Sequence, residues 1–258
     1  MTLGSAITGE AIGIMLRHLL SGIQFLTIVP CGRTSTFDAG RTTPFFPVVG
    51  LVIGLLLATI DYAAAFFWER SAIAVIDVLV LVLISGALHL DGLADTADGL
   101  YGQRTPDRAL EIMKDSRIGS IGMVAVTCCL AVKWAGLHGL QSDRFFWLLL
   151  VPAFARASIL FGTRLLPYGR PNGTGHPFFQ RPLRLVDFWG VLLLFSLALL
   201  LTGWHAALAA AAFALLVAAV LVYYRLKINC ITGDMLGAMV EICEAGLFLF
   251  LSAIRGAI

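Results

Sequence analysis

The stretch His89-Leu90-Asp91-Gly92-Leu93-Ala94-Asp95-Thr96-Ala97-Asp98-Gly99 carries the densest chemistry in the sequence. On a helix Asp91, Asp95 and Asp98 stand at i, i+4 and i+7, and at about 100° per residue they project within about 60° of one another. Like charges at that spacing repel unless a cation lies between them, and hard carboxylate oxygens suit Mg²⁺ or Mn²⁺. The small residues Gly92, Ala94, Ala97 and Gly99 let backbone or a bulky ligand come close. His89, two residues before the first acid, is placed to act as a supporting or acid–base group.

A second cluster follows at Glu111-Ile112-Met113-Lys114-Asp115-Ser116-Arg117, where Glu111 and Asp115 are expected to share a helix face with Lys114 and Arg117 beside them. These two acids are expected to face the Asp triad, whereas Arg104, Asp107 and Arg108 read as a salt-bridged surface. Between Tyr168 and His176 a loop carrying Arg170, Gly173 and Gly175 offers a cation and backbone N–H groups to a phosphate. Thr232-Gly233-Asp234 opens the last apolar segment, with Glu241 on the same face as Asp234 and Glu244 a turn further in. Acids to hold a divalent metal, the metal to neutralise phosphate oxygens, and basic side chains for the remainder are the parts of diphosphate chemistry. No G-x-S-x-G elbow, H-E-x-x-H pair or Walker loop occurs. His18, His138 and His205 are scattered and read as interfacial.

The elements that must position these groups are set by composition. The chain has 258 residues, 59% hydrophobic and 13% charged, with a mean hydropathy of +0.90. An average soluble domain is about one quarter charged, so most of this chain belongs in lipid. A net charge of +2 without a polybasic face argues against nucleic-acid binding. The cysteines Cys31, Cys128, Cys129, Cys230 and Cys243 show no C-x-x-C spacing and read as small apolar packers, not as a zinc site or disulfide framework. Residues 11–29 are apolar but interrupted by Arg17, His18 and Gln24 and stopped by Pro30, which predicts an interfacial helix and no signal peptide.

Seven stretches are apolar enough to span: 45–68, 72–90, 118–140, 145–162, 188–203, 205–224 and 234–254. The expected fold is an all-α, polytopic membrane bundle forming a single catalytic domain over residues 1–258. With seven spans 13 of the 18 basic residues fall on one side; Arg70, Arg144 and Arg255 fall on the other, and Lys133 and Arg156 within spans. The basic side, with long loops near 91–117 and 163–187, is expected to face the cytoplasm and the C-terminus to face away. Counted at about 1.5 Å per residue, Lys133 lies level with Asp61 and Asp77, so it is expected to pair with one of them. Arg156 lies near the depth of Glu241, as that acid's partner or as a phosphate clamp.

The segments HLDGLADTADG, EIMKDSRIGSIG and TGDMLGAMVEICE, in this order and separation, resemble the adenosylcobinamide-GDP ribazoletransferase (cobalamin 5′-phosphate synthase) family of bacterial and archaeal membranes. Phe46-Pro47-Val48-Val49-Gly50, Gly54, Lys133, Arg156 and the Arg170, Gly173, Gly175 loop are similar too, so the likeness covers essentially the whole chain. It implies a Mg²⁺-dependent late step of vitamin B12 assembly in the cell (inner or plasma) membrane. A ribose hydroxyl of α-ribazole, or of its 5′-phosphate, attacks the cobinamide-side phosphorus of adenosylcobinamide-GDP and expels GMP. On this reading Asp91, Asp95, Asp98, Glu111, Asp115 and Asp234 hold the metal. Lys114, Arg117, Arg156, Arg170, Gly173, Gly175, Asp234 and Glu241 meet the substrates, and a carboxylate or His89 takes the hydroxyl proton. Membrane lipid surrounds the protein; a homo-oligomer or assembly with other corrinoid-pathway enzymes stays open.

The chain departs from the family pattern at Ile28, at Cys31-Gly32, at Pro171-Asn172 where paired acids are common, and at Asn229-Cys230 where Gly-Gly is common. Its D-G-x-x-A element is also similar to that of CDP-alcohol phosphotransferases, although Asp95 stands where they carry Arg, which gives a phospholipid synthase as the alternative enzyme. From another class, a divalent-ion-coupled transporter would bind ions near the bilayer midplane. The acids here cluster at one membrane edge.

Overall fold

The structure is a computed structural model that describes residues 3–32, 37–170, 173 and 175–254, with backbone alone for 3–11. Of the residues singled out above, Pro171, Asn172 and Arg255 lie outside the described set, as does the C-terminal end itself.

In chain order the helices are α1 (Leu3–Leu26), α2 (Ala39–Thr42), α3 (Phe46–Ala64), α4 (Arg70–Ile84), α5 (Leu88–Leu100), α6 (Pro106–Ile112), α7 (Ser120–Gly139), α8 (Arg144–Leu165), α9 (Trp189–Thr202), α10 (His205–Lys227) and α11 (Gly233–Ser252). Short 3₁₀ turns lie at Thr43–Phe45, His176–Phe179 and Leu185–Phe188. Among the described residues there is no β-strand, only an isolated parallel bridge between Tyr168 and Ile231. Among the described residues six helical segments are long and apolar enough to cross a membrane, or seven if α4 and α5 form one broken span. The chain is an integral membrane protein of the all-α class. Helix α1 is not among the six, and Ile12, Met15 and Leu16 on it are exposed, as suits a helix lying along lipid.

One expected span is broken. The stretch 72–90 does not run straight: α4 stops at Ile84 and α5 leaves it at 87°. Gly86 and Ala87 both take positive φ, and the Gly86 and Ala87 amides bond back to Leu83 and Val82 oxygens, which closes α4 and redirects the chain. The Asp triad therefore sits on a helix of its own within what was expected to be the start of a long loop.

Glycines set the close crossings. A Cβ at Gly50 or Gly54 of α3 would run into the backbone of Ala153 or Leu149 in α8, and one at Gly136 of α7 would press on the backbone of Phe248 and Leu249 in α11. Such small-residue contacts replace hydrophobic driving force in a bundle immersed in lipid. At Gly92 of α5 a Cβ would stand 2.6 Å from the Asp234 oxygen and 3.0 Å from its Cα. Gly92→Ala is expected to push α5 off the start of α11 and cost about 1–3 kcal/mol by overpacking, outweighing alanine's advantage of roughly 1 kcal/mol in a helix. Thermal unfolding in detergent checks the sign; an unchanged or higher midpoint would mean that the two helices do not need this contact.

A buried ion cluster joins α3, α4 and the start of α8. Arg144, in the first turn of α8, donates to Asp61 (Nε–Oδ1 2.8 Å) and Asp77 (Nη2–Oδ2 2.7 Å), and also reaches the Leu140 carbonyl at the end of α7. The pairing expected between Lys133 and these acids is thus wrong. Asp61 and Asp77 already have Arg144, and the tight crossing at Gly136 holds Lys133 against α11 instead.

Candidate active site

Three carboxylates meet at the α5–α11 crossing. Asp95 is close enough to Asp91 and Asp234 for their charges to interact, and Asp234 feels Asp91 in the same way. Helix α11 begins there because the Thr232 hydroxyl accepts the Met235 N–H at 3.3 Å, which puts Asp234 in the first turn. The segment before it is tied to the end of α8: Gly169 N–H donates to the Ile231 oxygen and Ile231 N–H to the Pro167 oxygen, each at 2.9 Å. That stitch carries Arg170 to Asp234, with Nη1 2.7 Å from Oδ2. The Nε and Nη2 atoms of Arg170 are buried with no partner among the described residues, two donors that a phosphate could take.

A cavity of about 100 Å³ is lined by Asp91 and Asp234, by His89 and by the rings of Phe25, Phe46 and Phe178. His89 is buried, and its Nδ1 has no partner among the described residues. Gly175 also lines this space, but its N–H donates to the Tyr168 hydroxyl at 3.1 Å, and a Cβ at Gly173 would collide with the same hydroxyl. These glycines let the loop lie on Tyr168, whose partial burial pushes its phenol upward from the usual range.

The other expected ligands are engaged separately. Both Asp98 oxygens accept backbone N–H groups at the start of α7, from Gly119 at 2.7 Å and Gly122 at 2.9 Å, while Arg104 donates to the Asp98 carbonyl at 2.7 Å. Glu111 pairs with Arg108 at 2.6 Å on an exposed face, so the surface pairing expected for its neighbours takes in Glu111 as well. Asp115 does not share a helix face with Glu111, because α6 ends at Ile112 and Asp115 turns the chain by accepting the Arg117 N–H at 3.1 Å. Hydrogen bonds from the Arg117 side chain hold the Asp115 carboxyl down at about 2. Lys114 and Arg117 are exposed.

Among the described residues no three His, Cys, Asp or Glu side chains are gathered closely enough to hold a metal alone. Mg²⁺ commonly takes one or two carboxylates and completes its shell with water and substrate phosphates, and the hard donors Asp91, Asp95 and Asp234 fit that arrangement. Asp98→Asn is expected to lose one of two amide contacts and the charge at the start of α7, lowering stability by about 1 kcal/mol while turnover stays within about tenfold. A melting curve paired with an activity assay separates this from a ligand role, in which turnover would collapse and the melt hold.

Beneath the cavity lies a second buried ion cluster. Lys133 Nζ is 2.7 Å from Glu241 and 2.6 Å from Glu244, Arg156 is ion-paired to the other Glu244 oxygen, and Cys129 Sγ lies 3.8 Å from Glu241. Arg156 therefore has Glu244, not Glu241, as its acid, and both Arg156 and Glu241 are closed off from solvent. His89 is near enough to feel the charges of Arg156, Glu244 and Lys133, so it stands between this cluster and the cavity.

Comparison with known proteins bears directly on this arrangement. The family model described as cobalamin-5-phosphate synthase matches residues 18–252. The chain belongs to the cobalamin-5-phosphate synthase family. Among its relatives, adenosylcobinamide-GDP ribazoletransferase of Alkaliphilus metalliredigens is 36% identical over 95% of this chain and 98% of its own. The proteins of the same name from Geotalea daltonii (35%, over 94% of this chain and 99% of the relative) and Pseudomonas putida (37%, over 92% and 99%) are similar to it as well. No solved structure matches the chain.

One departure of this chain from the family pattern has a structural reading. Asn229 takes φ +52°, a left-handed conformation that Asn tolerates better than most residues, so the turn before Thr232 forms without glycine. Neighbouring Cys230 packs on Gly169, where a Cβ would stand 2.5 Å from Sγ. Sequence reasoning missed Arg144, the capping role of Asp98 and the phenylalanines of the cavity. Gly119 and Gly122, three apart at the start of a span, were the available signal for the cap.

Proposed function

We propose that this protein transfers the adenosylcobinamide-phosphate moiety of adenosylcobinamide-GDP to α-ribazole, or to its 5′-phosphate, releasing GMP. The observation that carries the reading is a cavity lined by Asp91 and Asp234, with Arg170 ion-paired to Asp234 and Asp95 near enough to feel both acids, in a chain matched over nearly its full length by relatives of that name. A ribose hydroxyl oxygen bonds to the cobinamide-side phosphorus, the bond from that phosphorus to the bridging oxygen breaks, and GMP leaves with the electron pair. Asp91 and His89 line the cavity where the hydroxyl proton must depart, and the free donors of Arg170 hold phosphate oxygens. Asp91, Asp95 and Asp234 are the residues to hold Mg²⁺, whose chemistry when bound is neutralisation of the charge that builds on the departing phosphate. The site is taken to face the cytoplasm of the cell membrane, since the loops that surround it carry most of the basic residues.

Purified protein in detergent, given adenosylcobinamide-GDP, α-ribazole and Mg²⁺, should yield a cobalamin product and GMP in equal amounts, and none with EDTA. Absence of both products from a folded preparation would overturn the reading. A reporter fused after Ile258 that is active only in the cytoplasm would reverse the orientation.

A further inference from the structure

Three phenylalanine rings line the cavity, Phe25, Phe46 and Phe178, and Phe37 packs on two of them; none has a part in the chemistry just derived, yet they come from four separate segments. Phe25 closes α1, Phe37 precedes α2, Phe46 opens α3 and Phe178 lies in the His176–Phe179 turn. Phe25 and Phe46 are nearly parallel (4°, centroids 6.0 Å apart), Phe178 tilts against both at 4.9 and 5.9 Å, and Phe37 meets Phe178 edge-on at 5.8 Å. Phe46 and Phe178 are buried beside open space, when a group built only to close the bundle would fill it.

We propose that this cavity receives the flat heteroaromatic base of the acceptor nucleoside, with its ribose directed to Asp91 and Asp234; the assignment rests on the transferase reading above. Size supports it. Pockets for drug-sized ligands run to roughly 300–1,000 Å³, so about 100 Å³ suits one fused-ring base and excludes a corrin macrocycle. Polarity then separates the two bases present in the reaction. Guanine carries a full edge of donors and acceptors that would need partners if buried, whereas the lining, apart from Asp91 and Asp234, offers a single polar side chain, His89, with Nδ1 unmatched among the described residues. A fused azole, apolar apart from its ring nitrogens, fits aromatic walls with one hydrogen-bonding group. The polar end of the same cavity, at Asp91 and Asp234, is where the ribose hydroxyl must meet phosphorus.

The test uses Phe178→Ala, with Phe178→Leu as the variant that keeps bulk and loses the ring. Loss of a base–ring stack weakens binding by roughly tenfold, so the KM for α-ribazole should rise by about that factor while kcat and the KM for adenosylcobinamide-GDP stay within about twofold. Equilibrium dialysis of free benzimidazole against the full-length protein in detergent needs no turnover: the parent should retain it and both variants should lose it. A parent that retains benzimidazole but makes no cobalamin would sink the transferase reading and leave the subsite standing. Unchanged KM and unchanged benzimidazole binding in the folded leucine variant would overturn the subsite, as would a KM change confined to adenosylcobinamide-GDP, which would assign the rings to guanine.

Discussion

Asp91→Asn and Asp95→Asn are each expected to leave the protein membrane-inserted and folded while turnover falls by about 10³-fold or more. Asparagine keeps the shape and removes the charge, so the loss isolates the carboxylate. A contact that neutralises charge on a phosphoryl transition state contributes several kcal/mol, and about 1.4 kcal/mol is tenfold in rate. Asp91 and Asp95 sit one turn apart on α5 within reach of Asp234's charge, which leaves three like charges at one crossing with Arg170 as the paired cation. Such a cluster is repulsive by itself, and removing one charge should ease it, so thermal stability without substrate should hold or rise as activity collapses. Either variant retaining rates within about threefold of the parent at ordinary Mg²⁺, a difference under roughly 1 kcal/mol, would remove that carboxylate from the metal site.

The opposite signs expected for Asp91 and Asp98 show what periodicity could and could not say. Spacing placed all three acids of the motif on one helical stripe, and the helix is there, but a stripe of this width can serve two neighbours at once. The α11 side receives Asp91 and Asp95, and the α7 side receives Asp98, whose oxygens are both taken by Gly119 and Gly122 amides. The bend between α4 and α5 was less legible, because Gly86 is a plain signal for positive φ whereas Ala87 in the same conformation is not. Hydropathy gave the number of spans well, since length and apolarity alone decide what lipid accepts. It could not level them. Matching Lys133 to Asp61 and Asp77 by depth treated every helix as upright and starting at one plane, whereas tight crossings such as Gly136 on α11 decide which depths coincide. The phenylalanines of the cavity lie far apart in sequence, so no local pattern could gather them. Acids in apolar segments read as functional or paired, and among the described residues Asp61, Asp77, Glu241 and Glu244 are all paired, with partners other than those expected.

Those pairings lead to the largest expected loss of stability, at Glu244. Lys133, Arg156, Glu241 and Glu244 bring two cations and two anions together in a region closed to water, and Glu244 is the member that both cations touch. Glu244→Gln leaves Arg156 without an anionic partner among the described residues and Lys133 with Glu241 as its acid. Removing one partner of a buried pair costs about 3–5 kcal/mol, because the remaining charge stays desolvated. The melting temperature should drop accordingly, and activity should fall with it, since His89 and the cavity rest on this cluster. Charge balance can be told apart from lost packing. Combining Glu244→Gln with Arg156→Met restores a one-to-one ratio of Lys133 to Glu241 at similar volume, and the double variant should recover a substantial part of the stability that the single one loses. If the two substitutions simply add, the cluster is not held by its charge balance and the buried ions are separate contacts.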